Sequence, residues 1–407
     1  WARSTLLTST THLFTPMQHR RIGPYTLFSG TTLAFSAAHD RNAWSGITYR
    51  MAETLRRHVG ALHWVGPLKE QYAWYFKAKQ LASMLATKQR RLRDREPRIL
   101  QGYARQAAAR LAPQDIDLVF SPSTLPIAYL ECKQPTFFWT DATFAQMPGF
   151  YLDSAVVTES SIRDGDAAER AALERCRLAI YSSEWAAQGA ITNYLVNPSK
   201  VKVVPFGANL ESRRTYAEMR QTIGHRPSNC CRLLFTGVDW TRKGGDIALA
   251  IAERLNVEGL RTELTVIGDE PKIHGSLPAF VESVGYLDQN TATDRARLEA
   301  YYAKSHFFVL PSRADCSPIV LAEASAFALP CVASDVGGIS TIVREGKNGR
   351  TFSPGTDIAD YCSYIRGFMD QRSAYEDLCR SSFNEYAQRL NWNSAGRTVR
   401  KLIDESI

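Results

Sequence analysis

The chain has 407 residues, 44% hydrophobic and 22% charged, with a formal net charge of +8. At roughly 100–200 residues per domain, this is material for two or three domains, and the composition excludes a disordered chain, a collagen and a small disulfide scaffold. No run of about 18 uncharged apolar residues occurs, and residues 1–14 lack the apolar core and cleavage site of a signal peptide, so none is expected.

Short apolar runs alternate with helix-like segments along the whole chain. In the first half, residues 32–37 read as a strand, followed by a polar loop at 39–45 and a helix from Gly46 to Val59. Residues 61–65 read as the next strand, and a long helical region, broken near Pro97, runs to about Leu111. Buried strands follow at 117–120, 136–140, 178–182 and 201–204. The pattern weakens over the polar residues 209–229, read as an interdomain linker. It restarts with strands at 232–236, 264–267, 281–286, 307–310 and 330–333 and helices at 245–255, 292–304, 320–327 and 357–370, and residues 371–407 read as helical throughout. Apolar strands separated by helices predict parallel sheets covered on both faces.

Charge and cysteine distribution add two readings. Residues 1–205 carry 25 basic against 16 acidic residues, and residues 206–407 carry 24 against 25. The basic excess is densest between Lys77 and Arg110, a run that suits an anionic membrane surface, a nucleic acid or an acidic substrate, or else is one face of a long solvated helix. Few aromatics interleave its arginines, which argues against single-stranded nucleic acid. None of the eight cysteines forms a Cys-x-x-Cys pair, so they read as reduced, buried thiols in a cytosolic protein.

Two segments carry chemistry. Phe235-Thr236-Gly237-Val238-Asp239-Trp240-Thr241-Arg242-Lys243-Gly244-Gly245 is a strand, a glycine-containing turn, two cations and a helix start. Helix-start amides together with Arg242 and Lys243 make a diphosphate-holding arrangement. It is not a Walker A loop. Leu310-Pro311-Ser312-Arg313-Ala314-Asp315-Cys316-Ser317-Pro318-Ile319-Val320-Leu321-Ala322-Glu323 places two carboxylates eight positions apart, one in a loop and one in a helix that begins near Pro318. Carboxylates suit sugar hydroxyls, and the first-turn amides from Ser317 to Val320 suit a phosphate. A glycoside-hydrolysis pair would leave the phosphate-binding features without a use. Asp115-x-Asp117 and Asp164-x-Asp166 read as structural, the second as preceding a helix, and no histidine cluster suggests a metal site.

The second segment continues as Ala324-Ser325-Ala326-Phe327-Ala328-Leu329-Pro330-Cys331-Val332-Ala333-Ser334, then Gly337-Gly338. With the Lys243-Gly244 turn, Val266-Ile267-Gly268, Val284-Gly285-Tyr286-Leu287 and Val203-Val204-Pro205-Phe206-Gly207-Ala208-Asn209, it resembles in order and spacing the donor-binding half of family 4 glycosyltransferases. The resemblance covers most of residues 201–352 in detail. The first half resembles the family more loosely, through Trp44-Ser45-Gly46 and Tyr181-Ser182-Ser183-Glu184.

The resemblance implies an α/β protein of two Rossmann-like domains (GT-B) facing an interdomain cleft, with a C-terminal helix crossing back to the first. The corresponding division is 1–208 on the acceptor side, 209–385 on the donor side and 386–407 as the returning helix. It implies a retaining transfer from a nucleotide-sugar to a glycan, lipid-linked or other acceptor hydroxyl, in polysaccharide or glycoconjugate biosynthesis. The nucleotide-sugar is a co-substrate, and neither metal nor other cofactor is expected. The leaving phosphate would take the acceptor's proton. By position, Glu323 would hold the ribose, Asp315 the transferred sugar, and Arg242, Lys243, Gly237 and the amides of Ser317, Pro318, Ile319 and Val320 would form the diphosphate site. Pro318 lacks an N–H and contributes only its place in that turn. Leu287, Pro311 and Ser312 would border the base, and Ser45 and Gly46 would approach the phosphate from the first domain. Asp141, at the end of a buried strand, reads either as an acceptor-orienting group or as a helix N-cap.

Departures from the family pattern are Asp315 for a glutamate, Val238 for a donor-binding arginine, Ala328 for a glycine and Thr341 for an acidic residue. A cytoplasmic location follows, with peripheral contact at the inner membrane face through the basic first domain and no nucleic-acid partner. The alternative reading is a basic nucleic-acid- or membrane-binding protein built on a catalytically weak homologue.

Overall fold

A computed structural model describes residues 28–33, 43–113, 115–210 and 215–407. The first half runs β1 (Phe28–Leu33), α1 (Ile47–His58), β2 (Gly60–Trp64), α2 (Ala73–Thr87), α3 (Pro97–Leu111), β3 (Leu118–Ser121), β4 (Thr136–Thr140), α4 (Glu159–Arg175), β5 (Leu178–Tyr181), α5 (Glu184–Tyr194) and β6 (Val201–Val203). Its six strands lie in the order β2-β1-β3-β4-β5-β6, every pair parallel. The second half runs α6 (Tyr216–Gly224), β7 (Cys231–Gly237), α7 (Trp240–Lys243), α8 (Gly245–Val257), β8 (Thr262–Gly268), β9 (Val281–Gly285), α9 (Ala292–Lys304), β10 (Phe307–Leu310), α10 (Ile319–Ala326), β11 (Cys331–Ser334), α11 (Ile339–Ile342), β12 (Gly349–Phe352), α12 (Ile358–Met369), α13 (Arg372–Gln388) and α14 (Trp392–Asp404). Its sheet has the order β12-β11-β10-β7-β8-β9, again parallel throughout.

The strands form where the apolar runs are. Leu118–Ser121, Thr136–Thr140, Phe307–Leu310 and Cys331–Ser334 are buried at every position, as strands covered on both faces must be. Each sheet reverses its strand order once, between β1 and β3 and between β7 and β10. In such sheets the loops diverging from the carboxyl ends of those strands leave a crevice that binds ligands.

Several expectations are corrected. The first strand is centred earlier than residues 32–37, and residues 34–37 of that expectation lie outside the described residues. The helical region of the basic run is broken near Pro97, as expected: α2 closes at Lys88 in a left-handed turn at φ 57°, and Pro97 opens α3 at a first-turn position where its missing N–H costs no hydrogen bond. The linker holds α6, nucleated by a capping box in which Thr215 and Glu218 satisfy each other's backbone amides. Asp164 and Asp166 lie within α4, where Asp166 accepts from the Tyr194 hydroxyl at 2.6 Å. The C-terminal stretch is two helices, with Asn391 capping α14. Strand β12 was not foreseen.

The returning helix α14 packs on the first sheet's helix α1: Trp392, Ala395, Val399 and Ile403 share a core with Met51, Leu55, Trp139 and Phe206. No helix of the described residues is long and apolar enough to cross a membrane.

Candidate functional site

The turn after β7 and the loop after β10 meet at the second sheet's crevice. Gly244 has φ 77°, and a Cβ there would lie 2.0 Å from the Pro311 carbonyl oxygen, so the two segments can touch only because this residue is glycine. That approach brings the Lys243 ammonium into an ion pair with the Asp315 carboxylate. Arg242 Nη1 lies 3.9 Å from the same carboxylate and donates to the Ala314 carbonyl at 2.9 Å. Asp239 orients Arg242, accepting from its Nε at 3.2 Å. Val238 is exposed at the mouth of the turn, and a third cation, Arg313, donates to the Thr241 carbonyl at 2.6 Å while paired with Asp246 at 2.7 Å.

Asp315 is only 4% exposed. Besides Lys243 it accepts from Ser312 Oγ at 3.4 Å, and its backbone carbonyl accepts from the Gly338 amide at 3.2 Å. Pro318 stands just before the first residue of α10 rather than at its first position. The amides of that turn have no acceptors within the helix, and the buried hydroxyl of Ser317 has no partner. Glu323 is held inside: Oε1 accepts from the Leu210 amide at 3.2 Å and Oε2 from the Tyr302 hydroxyl at 3.2 Å. Burial raises its pKa above the ordinary glutamate value. Ile319 turns toward the first domain and packs in its core with Phe206 and Trp392. Leu287 is sealed in the second core, and the exposed aromatic beside it is Tyr286.

The first domain contributes the opposite wall. Trp44, Ser45 and Gly46 all have positive φ (52°, 53° and 82°), a tight left-handed turn that ends in α1. Asn209 in the hinge clamps it, donating to the Ser45 carbonyl at 2.5 Å and accepting from the Trp392 indole at 3.0 Å, while Arg50 donates to the Asn209 carbonyl at 2.7 Å. Asp141 is not an N-cap: Thr143 fills that role, in a capping box with Gln146. Burial and the facing Asp315 carboxylate push the Asp141 pKa up to about 7.

Tyr151, which sequence reasoning missed, joins the two walls. Its hydroxyl donates to Asp315 Oδ1 at 3.3 Å and accepts from Arg242 Nη1 at 3.2 Å, and the guanidinium lies 5.0 Å from its ring centroid. Thr341 makes a second bridge, its hydroxyl accepting from the Glu184 amide at 2.9 Å. No local pattern marks Tyr151, which follows a Pro-Gly turn and meets Asp315 from 164 positions away. The structure therefore collects Arg242, Lys243, Ser312, Asp315, Ser317 and Asp141 around one crevice. Glu323 is at its base beside the hinge, and Ser45 and Gly46 are on the hinge's far side.

Residues 230–371 match the family described as Glycosyl transferases group 1. The second half of the chain carries a group 1 glycosyltransferase domain. Among curated relatives, D-inositol 3-phosphate glycosyltransferase 2 of Catenulispora acidiphila is 28% identical over 241 residues, 56% of this chain and 56% of that protein. Sulfoquinovosyl transferase of Arabidopsis thaliana is 32% identical over 146 residues, 34% of this chain and 27% of that protein. The match with the Catenulispora protein thus spans little more than half of its length. The likeness in fold extends over nearly the whole chain. Sucrose-phosphate synthase from Thermosynechococcus elongatus superposes with a TM-score of 0.63 at 16% identity, covering 93% of this chain and 98% of that one. Anabaena HepE in complex with UDP and glucose superposes at 0.58 with 14% identity, covering 93% and 100%. Both sheets together form the GT-B architecture.

Proposed function

We propose that the protein transfers a sugar, with retained configuration and without a metal ion, from a nucleoside diphosphate sugar to an acceptor hydroxyl. The observation that carries this reading is the Arg242–Lys243–Asp315 cluster at the strand-order reversal of the second sheet, faced by Asp141 of the first. As the glycosidic bond breaks, negative charge grows on the leaving diphosphate, and preorganised cations and amides lower the barrier most when aimed at that charge. Arg242, Lys243 and the first-turn amides of α10 supply the positive charge. On donor arrival, Lys243 exchanges part of its contact with Asp315 for phosphate oxygen, which frees Asp315 to accept from a sugar hydroxyl. Glu323 holds the ribose. The acceptor oxygen attacks on the face the diphosphate leaves and passes its proton to the departing phosphate oxygen, while ionised Asp141 orients the acceptor. The bridges through Tyr151 and Thr341 keep the cleft closed against water.

The names of the curated relatives and the UDP and glucose held by the Anabaena protein suggest uridine nucleotides and a phosphorylated inositol as the first donor and acceptor to try. All eight thiols are free and seven are buried, which supports a reducing, cytoplasmic setting.

A thermal-shift screen with UDP, GDP, ADP and their sugars in EDTA tests the proposal. A ligand that binds only the native state raises the melting temperature by mass action. One nucleotide should give a clear rise that Lys243→Ala and Glu323→Ala abolish. No rise with any nucleotide at millimolar concentration would overturn the reading.

A further inference from the structure

Helix α2 turns its polar side inward. Lys79 Nζ pairs with Glu96 at 2.8 Å, Gln80 Nε2 donates to the Arg91 carbonyl at 3.0 Å, and Ser83 Oγ donates to the Gln89 carbonyl at 3.0 Å. Phe76 is the helix's one buried side chain. The outward side is apolar. At 3.6 residues per turn, positions 74, 78, 81 and 85 fall within about 60° of one another. They are Trp74 (74% exposed), Ala78, Leu81 (61%) and Leu85 (77%). Exposed Tyr72, Tyr75 and Met84 border this stripe. An amphipathic helix of a globular protein normally turns such a stripe to the core. Here nothing among the described residues covers it.

The surrounding charge selects the occupant. Residues 69–98 hold nine basic and three acidic side chains. The acids are already paired, Glu70 with Arg93, Asp94 with Arg95 and Glu96 with Arg91 and Lys79. Lys77 and Lys88 flank the stripe on one side, exposed and in none of the ion pairs. A second copy packed on this face would bring these cations against their own like, which costs free energy. A nucleic acid would have no use for Leu81, Met84 and Leu85. Aliphatic and aromatic side chains on one face with lysines at its margin match the boundary between headgroups and acyl chains of an anionic bilayer.

We propose that α2 is a membrane-docking helix, laying Trp74, Leu81 and Leu85 into the interface of an anionic bilayer while Lys77 and Lys88 contact lipid phosphates. This specifies the surface through which the basic first domain meets a membrane, and it does not depend on the transferase reading.

The full chain should sediment with vesicles of phosphatidylcholine containing about 30% phosphatidylglycerol, and far less with phosphatidylcholine alone. The double variant Leu81→Ser/Leu85→Ser should bind at least about tenfold more weakly, and Lys77→Glu/Lys88→Glu similarly. Both pairs are exposed, so melting temperatures and nucleotide-induced shifts should stay at wild-type values. Three results would overturn the proposal: no vesicle binding by the folded chain at low salt, binding lost on charge reversal but untouched by the serine pair, or a dimer in sedimentation that the serine pair dissociates.

Discussion

Asp141 and Asp315 face each other across the crevice, and both nearby cations belong to the Asp315 side. Burial first, and then the like charge of Asp315, push the Asp141 pKa up to about 7. Two measurements follow from the sign of the shift. If ionised Asp141 orients the acceptor, the transfer rate climbs as pH rises through about 7, and Asp141→Asn shows a lower rate with that limb gone. The folded chain also binds this proton more tightly than the unfolded chain, whose carboxyl titrates near 3.8. Asp141 therefore costs stability as pH rises from about 4 to 7, and the asparagine variant should be relatively more stable at the upper end of that window in thermal melts. Lys243, Asp315 and Glu323 were legible because they belong to contiguous segments in which a strand, a loop and a helix start follow in order. Tyr151 was not, because a tyrosine in a Pro-Gly loop becomes a ligand of Asp315 only when the two domains meet. Tyr151→Phe keeps the ring beside Arg242 but removes both hydroxyl bonds. We expect a several-fold lower kcat with an unchanged melting temperature, and an unchanged kcat would show that the bridge has no part in turnover.

Elements position these residues through a few close approaches. The sequence shows the Lys243-Gly244 pair but not why the glycine is needed; the reason is the Pro311 carbonyl, which leaves no room for a Cβ. Gly244→Ala combines that collision with a left-handed φ, a strain on the order of 1–3 kcal/mol, and should lower stability and abolish the nucleotide-induced shift together. The segment read as a linker holds a comparable device. Arg226 is buried, and its guanidinium donates to the carbonyls of Ala303, Phe327 and Ala328 and to the Tyr375 hydroxyl. It ties α6 to α9, to the end of α10 and to α13. Arg226→Ala would strand several buried acceptors, and equilibrium denaturation should show a loss of about 3–5 kcal/mol. Polarity made these residues look like a loop, whereas a cation solvated by helix-end carbonyls makes them part of the core.

Across the whole molecule, the hinge holds more than a connection. Gly207 crosses α14 so closely that a Cβ would lie 2.2 Å from the Trp392 backbone nitrogen, and the next residues deliver Asn209 to the Ser45 turn and the Leu210 amide to Glu323. Glu323 is thus tied directly to the hinge through the Leu210 amide. The pH response of the fold has its own source. His306 is buried with Nδ1 accepting from the Arg232 amide and Nε2 bonded to the Pro227 carbonyl, so neither nitrogen has room for an added proton. Burial and nearby Arg226 push its pKa down to about 3. The unfolded chain takes up that proton near 6.5, so stability falls as pH drops from about 6.5 toward 3. His306→Gln should flatten this acid limb in melting experiments, even if it lowers stability at neutral pH.

The sequence by itself determined the two parallel sheets, the family-like order of the motifs in the second half and the cations, carboxylates and helix start that the crevice collects. Those features are local: apolar runs, turns and helix starts are encoded within about a dozen neighbours. Tertiary structure decided which sides of those elements face one another. It set Asp141 against Asp315, brought Tyr151 and Thr341 across the cleft, and turned Glu323 to the hinge. It also divided the basic run, pairing Arg91, Arg93 and Arg95 with acids while leaving the apolar stripe of α2 and its two lysines to solvent. The Arg91–Glu96 and Arg95–Asp94 pairs are local, but the other contacts join residues far apart in the chain, whose proximity is settled only by the packing of whole layers.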